Sequence, residues 1–215
     1  LDPVRYLTNH SSGRMGVALA AAAWRRGAEV VLVAGPLQVA VPPGVRVRAV
    51  ESTAEMAAAV AAELREADVL VMAAAPADYR PAAVAPQKLK RGDGALTLAL
   101  EPTPDILRGT RGARRAGAVI VGFALETTDL DANARRKLAA KELDLLVLND
   151  ATEPGAGFGV TTNRVTLYHR DGAVEPLSLL PKPEVADAIL DRVERLLGAR
   201  AASDGAPAAT ALAVP

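Results

Sequence analysis

Cysteine is absent from these 215 residues, which removes disulfides, thiolate metal sites and a cysteine nucleophile from consideration. Histidine is scarce: His10 and His169 are too few for a histidine-rich cluster. A histidine–carboxylate site stays open by count, but a hard cation held by carboxylate and phosphate oxygens is the metal chemistry to expect. Neither charge sign dominates, because 25 basic residues balance 25 acidic ones, so no global field draws the chain to nucleic acid or an anionic membrane. Any phosphate recognition must be local. No apolar run approaches the roughly 18 residues of a membrane span, and the order of a signal peptide is missing. The expectation is a cytoplasmic protein with neither membrane nor nucleic-acid partner. GxSxG and HExxH are also missing, which removes the commonest hydrolytic readings.

What is present is an alternation of apolar strands and alanine-rich helices. A strand at residues 4–7 is expected to feed the turn NHSSGRMG, residues 9–16, which opens a helix over 15–26 that Gly27 stops. EVVLVAG then reads as a buried parallel strand, completing a βαβ unit. Residues 45–50 form the next strand, and Ser52 with Glu55 make a capping box before a helix to about Glu66. DVLVMAAA, AVIVGFALET and DLLVLND supply further strands, with a short helix capped by Thr103 and Pro104 and a longer one over 130–142 between them. An antiparallel hairpin turning at Asp171 and Gly172 and a closing helix over 183–197 complete the pattern. Trp24 is expected to pack against the sheet. The fold class is α/β, a Rossmann-like three-layer sandwich with a mostly parallel sheet plus a C-terminal antiparallel hairpin. One domain over 1–198 and a disordered tail over 199–215 are expected, the tail having no periodic apolar face. Because the chain opens at Leu1, directly before a strand, it reads as part of a longer polypeptide.

In such a fold ligands bind at the carboxyl ends of the strands. The turn at 9–16 has the composition of a phosphate site: Gly13 and Gly16 allow close approach, Arg14 opens the helix, and unpaired N–H groups there favour an anion. It is neither the dinucleotide pattern GxGxxG nor a P-loop. Tight packing is the plainer reading of the glycines, but four successive hydrogen-bonding side chains, Asn9 to Ser12, exceed what a turn needs. The long loop over 75–94 carries Asp78, Tyr79 and Arg80 and then Lys88, Lys90 and Arg91. Asp78 could hold a metal or a ribose hydroxyl and Lys88 could neutralise phosphate, against the alternative of a solvated charged loop. Lys137 and Lys141 share a helix face, either as solvated charges or as ligands. Phe123 reads as core or as a base-stacking ring. Asn149 and Asp150 either line the same crevice or cap a turn. These residues alone lead to an α/β enzyme binding a nucleotide or another phosphorylated ligand.

The ordered set DPVRYLTNHSSGRMG, AAAPADYRPAAVAPQKLKR, TPDIL, VGFALET, and LVLND followed by GFGVTTN resembles the phosphopantothenoylcysteine synthetase family. It looks like the synthetase half of the bifunctional bacterial coenzyme A biosynthesis protein. The resemblance implies a ligase that condenses 4'-phosphopantothenate with L-cysteine, using CTP and Mg²⁺ through an acyl-cytidylate. By the same resemblance Asn9, Lys88 and Arg5 are the catalytic or supporting residues. Ser11, Ser12, Gly13, Ala75, Asp78, Lys88, Phe123, Lys137 and Lys141 bind the nucleotide, and Asp78 is the metal ligand. A homodimer and an upstream flavin-dependent decarboxylase are implied as well. Two other readings stay open: a non-catalytic nucleotide-binding regulatory domain and an NAD(P)-dependent oxidoreductase.

Overall fold

The computed structural model describes residues 1–150, 159–204 and 211–214. Its centre is an eight-stranded sheet in the order β10-β9-β7-β6-β3-β12-β1-β2. After α1 (Arg14–Arg25) come β1 (Val30–Ala34), β2 (Arg46–Ala49), α2 (Thr53–Glu63), β3 (Val69–Met72), and the short strands β4 (Tyr79–Pro81) and β5 (Leu100–Pro102). Then follow α3 (Ile106–Gly109), β6 (Val119–Glu126), α4 (Leu130–Ala140), β7 (Leu145–Asp150), β8 (Thr162–Asn163), β9 (Val165–His169), β10 (Val174–Pro176), β11 (Leu180–Pro181), α5 (Lys182–Asp204) and β12 (Ala211–Val214). From β2 to β7 the sheet is parallel; β9 and β10 run antiparallel at the far edge. The α/β architecture is the expected one.

The parallel strands are buried because helices cover both faces. Alternate residues of each strand enter different cores, as the period of two requires. Leu32, Val71, Val121 and Val147 pack with Leu19 of α1 and Ile189 of α5. Val33, Leu70, Ile120 and Leu146 pack with Val60 of α2, Ile106 of α3 and Ala134 of α4. The first core holds α1 against α5, and Arg26 crosses between them to Asp187, Asp191 and Glu194.

Local sequence chemistry explains the element ends. Ser52 and Glu55 form the reciprocal capping box at the start of α2. Gly27, at φ 85°, closes α1 in the left-handed region that glycine enters without strain. The hairpin of β9 and β10 turns at Gly172, φ 96°.

Several expectations are corrected. Residues 4–7 are not a strand: the Asp2 carboxylate accepts from the backbone N–H groups of Val4 and Arg5, curling the chain into a turn bridged between Asp2 and Arg5. Asp105, not Thr103 or Pro104, caps α3 through a bond from the Arg108 N–H. Helix α4 ends at Ala140 because Glu142 adopts a left-handed φ of 52°. Trp24 does not reach the sheet; it is 43% exposed and lies so close over Gly44 that a Cβ there would sit 2.6 Å from its Nε1. The tail is not wholly irregular, since α5 runs on to Asp204 and β12 pairs in parallel with both β1 and β3. Alanine-rich 199–204 has high helix propensity, and the uncharged ALAV segment satisfies backbone groups of both neighbours. Residues 205–210 of that tail, and Gly157 and Phe158 of GFGVTTN, lie outside the described residues.

Among the described residues no helix is long and apolar enough to cross a membrane.

Candidate nucleotide-binding cleft

The turn before α1 takes the shape that its glycine suggests. Gly13 is the N-cap, at φ 73°, and no side chain caps the helix. An ideal Cβ on Gly13 would stand 2.3 Å from the Leu37 Cδ2, so the turn is closed on one side by Leu37. The Ser12 carbonyl accepts from the Gln38 N–H at 3.2 Å, tying the same turn to the segment after β1. The first turn of α1 contains no acidic residue. Its N–H groups and positive dipole end are therefore available to an anion.

This helix end opens into a cleft of about 310 Å³ at the carboxyl ends of the parallel strands. Ser11, Ser12, Gly13, Ala75, Asp78, Phe123, Lys137 and Lys141 all line it. Eight of the sequence-derived residues thus meet in one place, although they come from segments far apart in the chain. Phe123 is half-buried within β6, where it lines the cleft and packs against the α1–α5 core. Asn149, at the end of β7, also lines the cleft, where its Oδ1 accepts from the Asn163 Nδ2 at 3.2 Å.

Lys137 of α4 and Lys141, its C-cap, are not simply solvated. The Lys137 Nζ pairs with the Glu126 carboxylate at 2.5 Å, and the Lys141 Nζ pairs with Asp105 at 3.1 Å. Both are about one-third exposed, so each charge is held at the wall by a carboxylate that an incoming polyanion can replace or supplement.

Asn9, Arg5 and Lys88 sit outside the lining. Asn9 is at the rim: its Nδ2 donates to the Pro76 carbonyl at 3.2 Å and to the Ala75 carbonyl at 3.4 Å. Arg5 forms a node with the buried Asp2, its Nε and Nη2 both donating to the Asp2 Oδ2. That node grips Leu89 by both backbone groups, the Leu89 N–H donating to Asp2 at 3.0 Å and the Leu89 carbonyl accepting from Arg5 at 2.8 Å. Lys88, the neighbour of Leu89, is exposed. Arg5 thus fixes the backbone at Leu89, next to Lys88. The Arg5 guanidinium holds the Asp2 carboxyl well below the usual carboxylate range, against the opposing pull of desolvation and with help from the Val4 and Leu89 N–H groups. Because the folded state depresses this pKa, the node contributes stability above the ordinary aspartate value near 4 and loses it as pH falls further. Asp2→Asn is expected to raise amide exchange at Leu89 at pH 7 with little change in the core strands; unchanged exchange at Leu89 would remove the node as the loop's anchor.

Asp78 stands exposed at the cleft edge, and its carbonyl accepts from the Thr103 N–H at 2.8 Å. The Thr103 hydroxyl donates to the Ala77 carbonyl at 2.6 Å, and β4 pairs with β5, so segment 77–81 is pinned from outside. Among the described residues no cluster of three or more histidine or acidic side chains could hold a metal. Asp105 is taken up by Lys141, and a lone carboxylate such as Asp78 at the cleft edge suits Mg²⁺ carried mainly by phosphate oxygens, the usual mode for that ion.

Sequence reasoning missed Lys182, Asn163, Thr103 and Asp105, all of which line the cleft. Lys182 carried a signal: a lysine as the first residue of a helix opposes the helix dipole, where an acidic residue is favoured. It is only 6% exposed. Burial pushes its pKa down, and the nearby Arg14 charge pushes in the same direction.

Comparison with known proteins places these features in a family. The family model described as the DNA/pantothenate metabolism flavoprotein C-terminal domain matches residues 1–197. The coenzyme A biosynthesis bifunctional protein CoaBC of Bacillus subtilis (strain 168) is 43% identical over 197 residues, which cover 91% of this chain and 48% of that protein. A protein from an unknown prokaryotic organism, described as a cysteine/cysteine sulfinic acid decarboxylase, is 44% identical over 200 residues, covering 92% of this chain and 55% of its own length. The chain spans about half the length of the curated relatives it matches. The crystal structure of the C-terminal domain of a CoaBC superposes with a TM-score of 0.76 at 40% identity, covering 92% of this chain and 89% of that one. This chain belongs to the family of DNA/pantothenate metabolism flavoprotein C-terminal domains.

Proposed function

We propose that this chain is a phosphopantothenate–cysteine ligase, forming 4'-phosphopantothenoylcysteine from 4'-phosphopantothenate and L-cysteine with CTP. The observation that carries the reading is a cleft in which an uncapped helix amino end faces Lys137 and Lys141. That arrangement suits an oligophosphate at one end of a nucleotide. The chemistry requires it: a free carboxylate is a poor acyl donor, and converting it to an acyl-cytidylate supplies CMP as a leaving group. Charge that develops on the departing pyrophosphate is stabilised by groups already fixed around it. Ser11, Ser12 and the first turn of α1 would bind phosphate oxygens, Lys137 and Lys141 would neutralise them, and Phe123 would offer a face to the base. Asp78 would hold Mg²⁺, which supplies charge neutralisation on the phosphates when bound. Asn9, fixed at the rim by the 75–76 carbonyls, would orient the activated carboxylate toward the cysteine amine. Lys88 would reach the intermediate from the loop that Arg5 anchors.

The reading extends to a homodimer and to an upstream flavin-dependent decarboxylase on the same polypeptide. The decarboxylase name of one relative describes a protein of which this chain matches 55%.

Pyrophosphate release with CTP, Mg²⁺ and 4'-phosphopantothenate, with and without cysteine, tests the reaction. Sustained cysteine-dependent release is expected from the parent. Asn9→Asp is expected to accumulate acyl-cytidylate while product formation falls by about 100-fold, equivalent to about 2.7 kcal/mol. A folded sample that releases no pyrophosphate from CTP or ATP would reject the ligase in favour of a nucleotide-binding regulatory domain, and tight NAD(P)H binding would favour an oxidoreductase.

A further inference from the structure

We infer that Asn163 and Asn149 form a one-way donor in this cleft, in which Asn163 holds the Asn149 carboxamide so that its amino group meets an acceptor oxygen of the bound nucleotide; that ligand rests on the ligase reading above. Asn149 follows the apolar run of β7. It alternates with Leu145 and Val147, whose side chains enter the α1–α5 core, so it stands on that side of the sheet. Phe123 packs against the same core from the neighbouring strand, where it pairs with Val147, and Asn149 lies two residues beyond Val147 toward the carboxyl end. Asn163 comes from β8, two residues before Val165, the partner of Asn149 in β9. Pairing with Leu180 of β11 fixes its backbone, and it is only 1% exposed.

The hydrogen bond between the two side chains has a direction. The Asn163 Nδ2 donates to the Asn149 Oδ1 at 3.2 Å. A carboxamide held this way has given its oxygen to the protein and keeps an amino group with two N–H donors. Among the described residues that amino group has no partner, and Asn149 is half-buried on the cleft wall. A tie between β7 and β8 alone gives no reason for a half-buried donor at the cleft, since a donor removed from water without a partner costs free energy. A nucleoside triphosphate is rich in acceptor oxygens. A neutral donor adds to its binding without another charge for Glu126 and Asp105 to balance. Asn163, almost wholly buried, has little surface to offer a ligand. It is a positioning residue that acts through Asn149.

CTP binding is measured by titration calorimetry for the parent, Asn149→Leu, Asn163→Leu and the double variant, each below its unfolding transition. Leucine keeps the branched shape of asparagine and removes the amide. Asn149→Leu should weaken CTP about tenfold and Asn163→Leu about threefold, the range of one hydrogen bond lost or left unaimed. The double variant should bind no more weakly than Asn149→Leu, because Asn163 then has nothing to orient. If a leucine variant fails to fold, alanine replaces leucine throughout. Parallel titration with inorganic tripolyphosphate locates the acceptor: loss for both ligands places it on the phosphate chain, and loss for CTP alone places it on ribose or base. Unchanged CTP affinity in Asn149→Leu overturns the inference, as do losses that add in the double variant, which would make Asn163 a structural residue alone. A parent that binds no CTP overturns it together with the ligase reading. Coupled losses in a parent that releases no pyrophosphate from CTP retain the asparagine pair and reject the ligase reading alone.

Discussion

Gly13→Val is expected to weaken CTP binding by about 100-fold while the protein stays folded. Valine at φ 73° meets the left-handed penalty of roughly 1–2 kcal/mol, and its Cβ would press on the Leu37 tip. Relief comes from rotating the turn to negative φ, which carries Ser11, Ser12 and the first N–H groups of α1 away from the cleft. Losing two hydrogen bonds to a charged phosphate, at about 1.5–3 kcal/mol each, accounts for the hundredfold. The control is Gly27→Val. Gly27 has a similar φ of 85° with nothing within 4 Å of its Cβ position, so it pays the backbone penalty far from any ligand. Calorimetric CTP titrations should separate the two: both variants lose a few degrees of thermal stability, and only Gly13→Val loses affinity. Equal CTP affinity in the two variants would show that the α1 turn does not contact the nucleotide.

The second large effect concerns stability at the opposite end of the sheet. Asp144 is 3% exposed and immediately precedes β7. Its Oδ2 accepts the Ile120 N–H of β6 at 2.8 Å while its own N–H returns to the Ile120 carbonyl at 2.9 Å. Its Oδ1 meets Arg200 at 2.6 Å and Arg170 at 3.4 Å. Asp144→Ala strands a buried N–H, which costs about 1–3 kcal/mol, and removes the acceptor shared by two arginines. A total near 3 kcal/mol corresponds to a fall of about 6–12 °C in Tm for a chain of this size. Asp144→Asn, which retains an acceptor for Ile120, should lose less. CTP affinity measured below the transition should be unchanged in both, because the substitution lies at the amino ends of β6 and β7 and the cleft at their carboxyl ends. A Tm within a degree or two of the parent for Asp144→Ala would refute this account.

Much of the architecture was legible because its signals are local. Five-residue apolar runs such as VVLVA, the Ser52–Glu55 box and the Asp171–Gly172 turn each carry their own physical cause. The shape of the turn before α1 was legible for the same reason, since Gly13 and the adjacent serines are consecutive. Residues whose geometry depends on distant partners were not. The apolar–polar alternation at 4–7 imitates a strand, but Asp2 offers those N–H groups a closer acceptor. Pro81 and Pro102 conceal β4 and β5, because proline is a poor strand signal even where an edge pairing tolerates it. Lys182 lies just before the expected helix over 183–197 and drew no notice, because only the β8–β11 pairing carries it to the cleft. Arg5 and Lys88 illustrate the converse: the motif identifies them, while only the fold reveals that a carboxylate at position 2 connects one to the other.

The cleft straddles the sheet. Gly13 and Lys182 stand at the amino ends of α1 and α5, whose layer has one core, whereas Ile106, Lys137 and Lys141 lie on the side of α2, α3 and α4, which has another. Any molecule that fills the cleft therefore touches both layers at once, at the ends of the strands that their two cores share. It acts as a removable rivet at the strand ends, adding its binding free energy to the stability of both layers together.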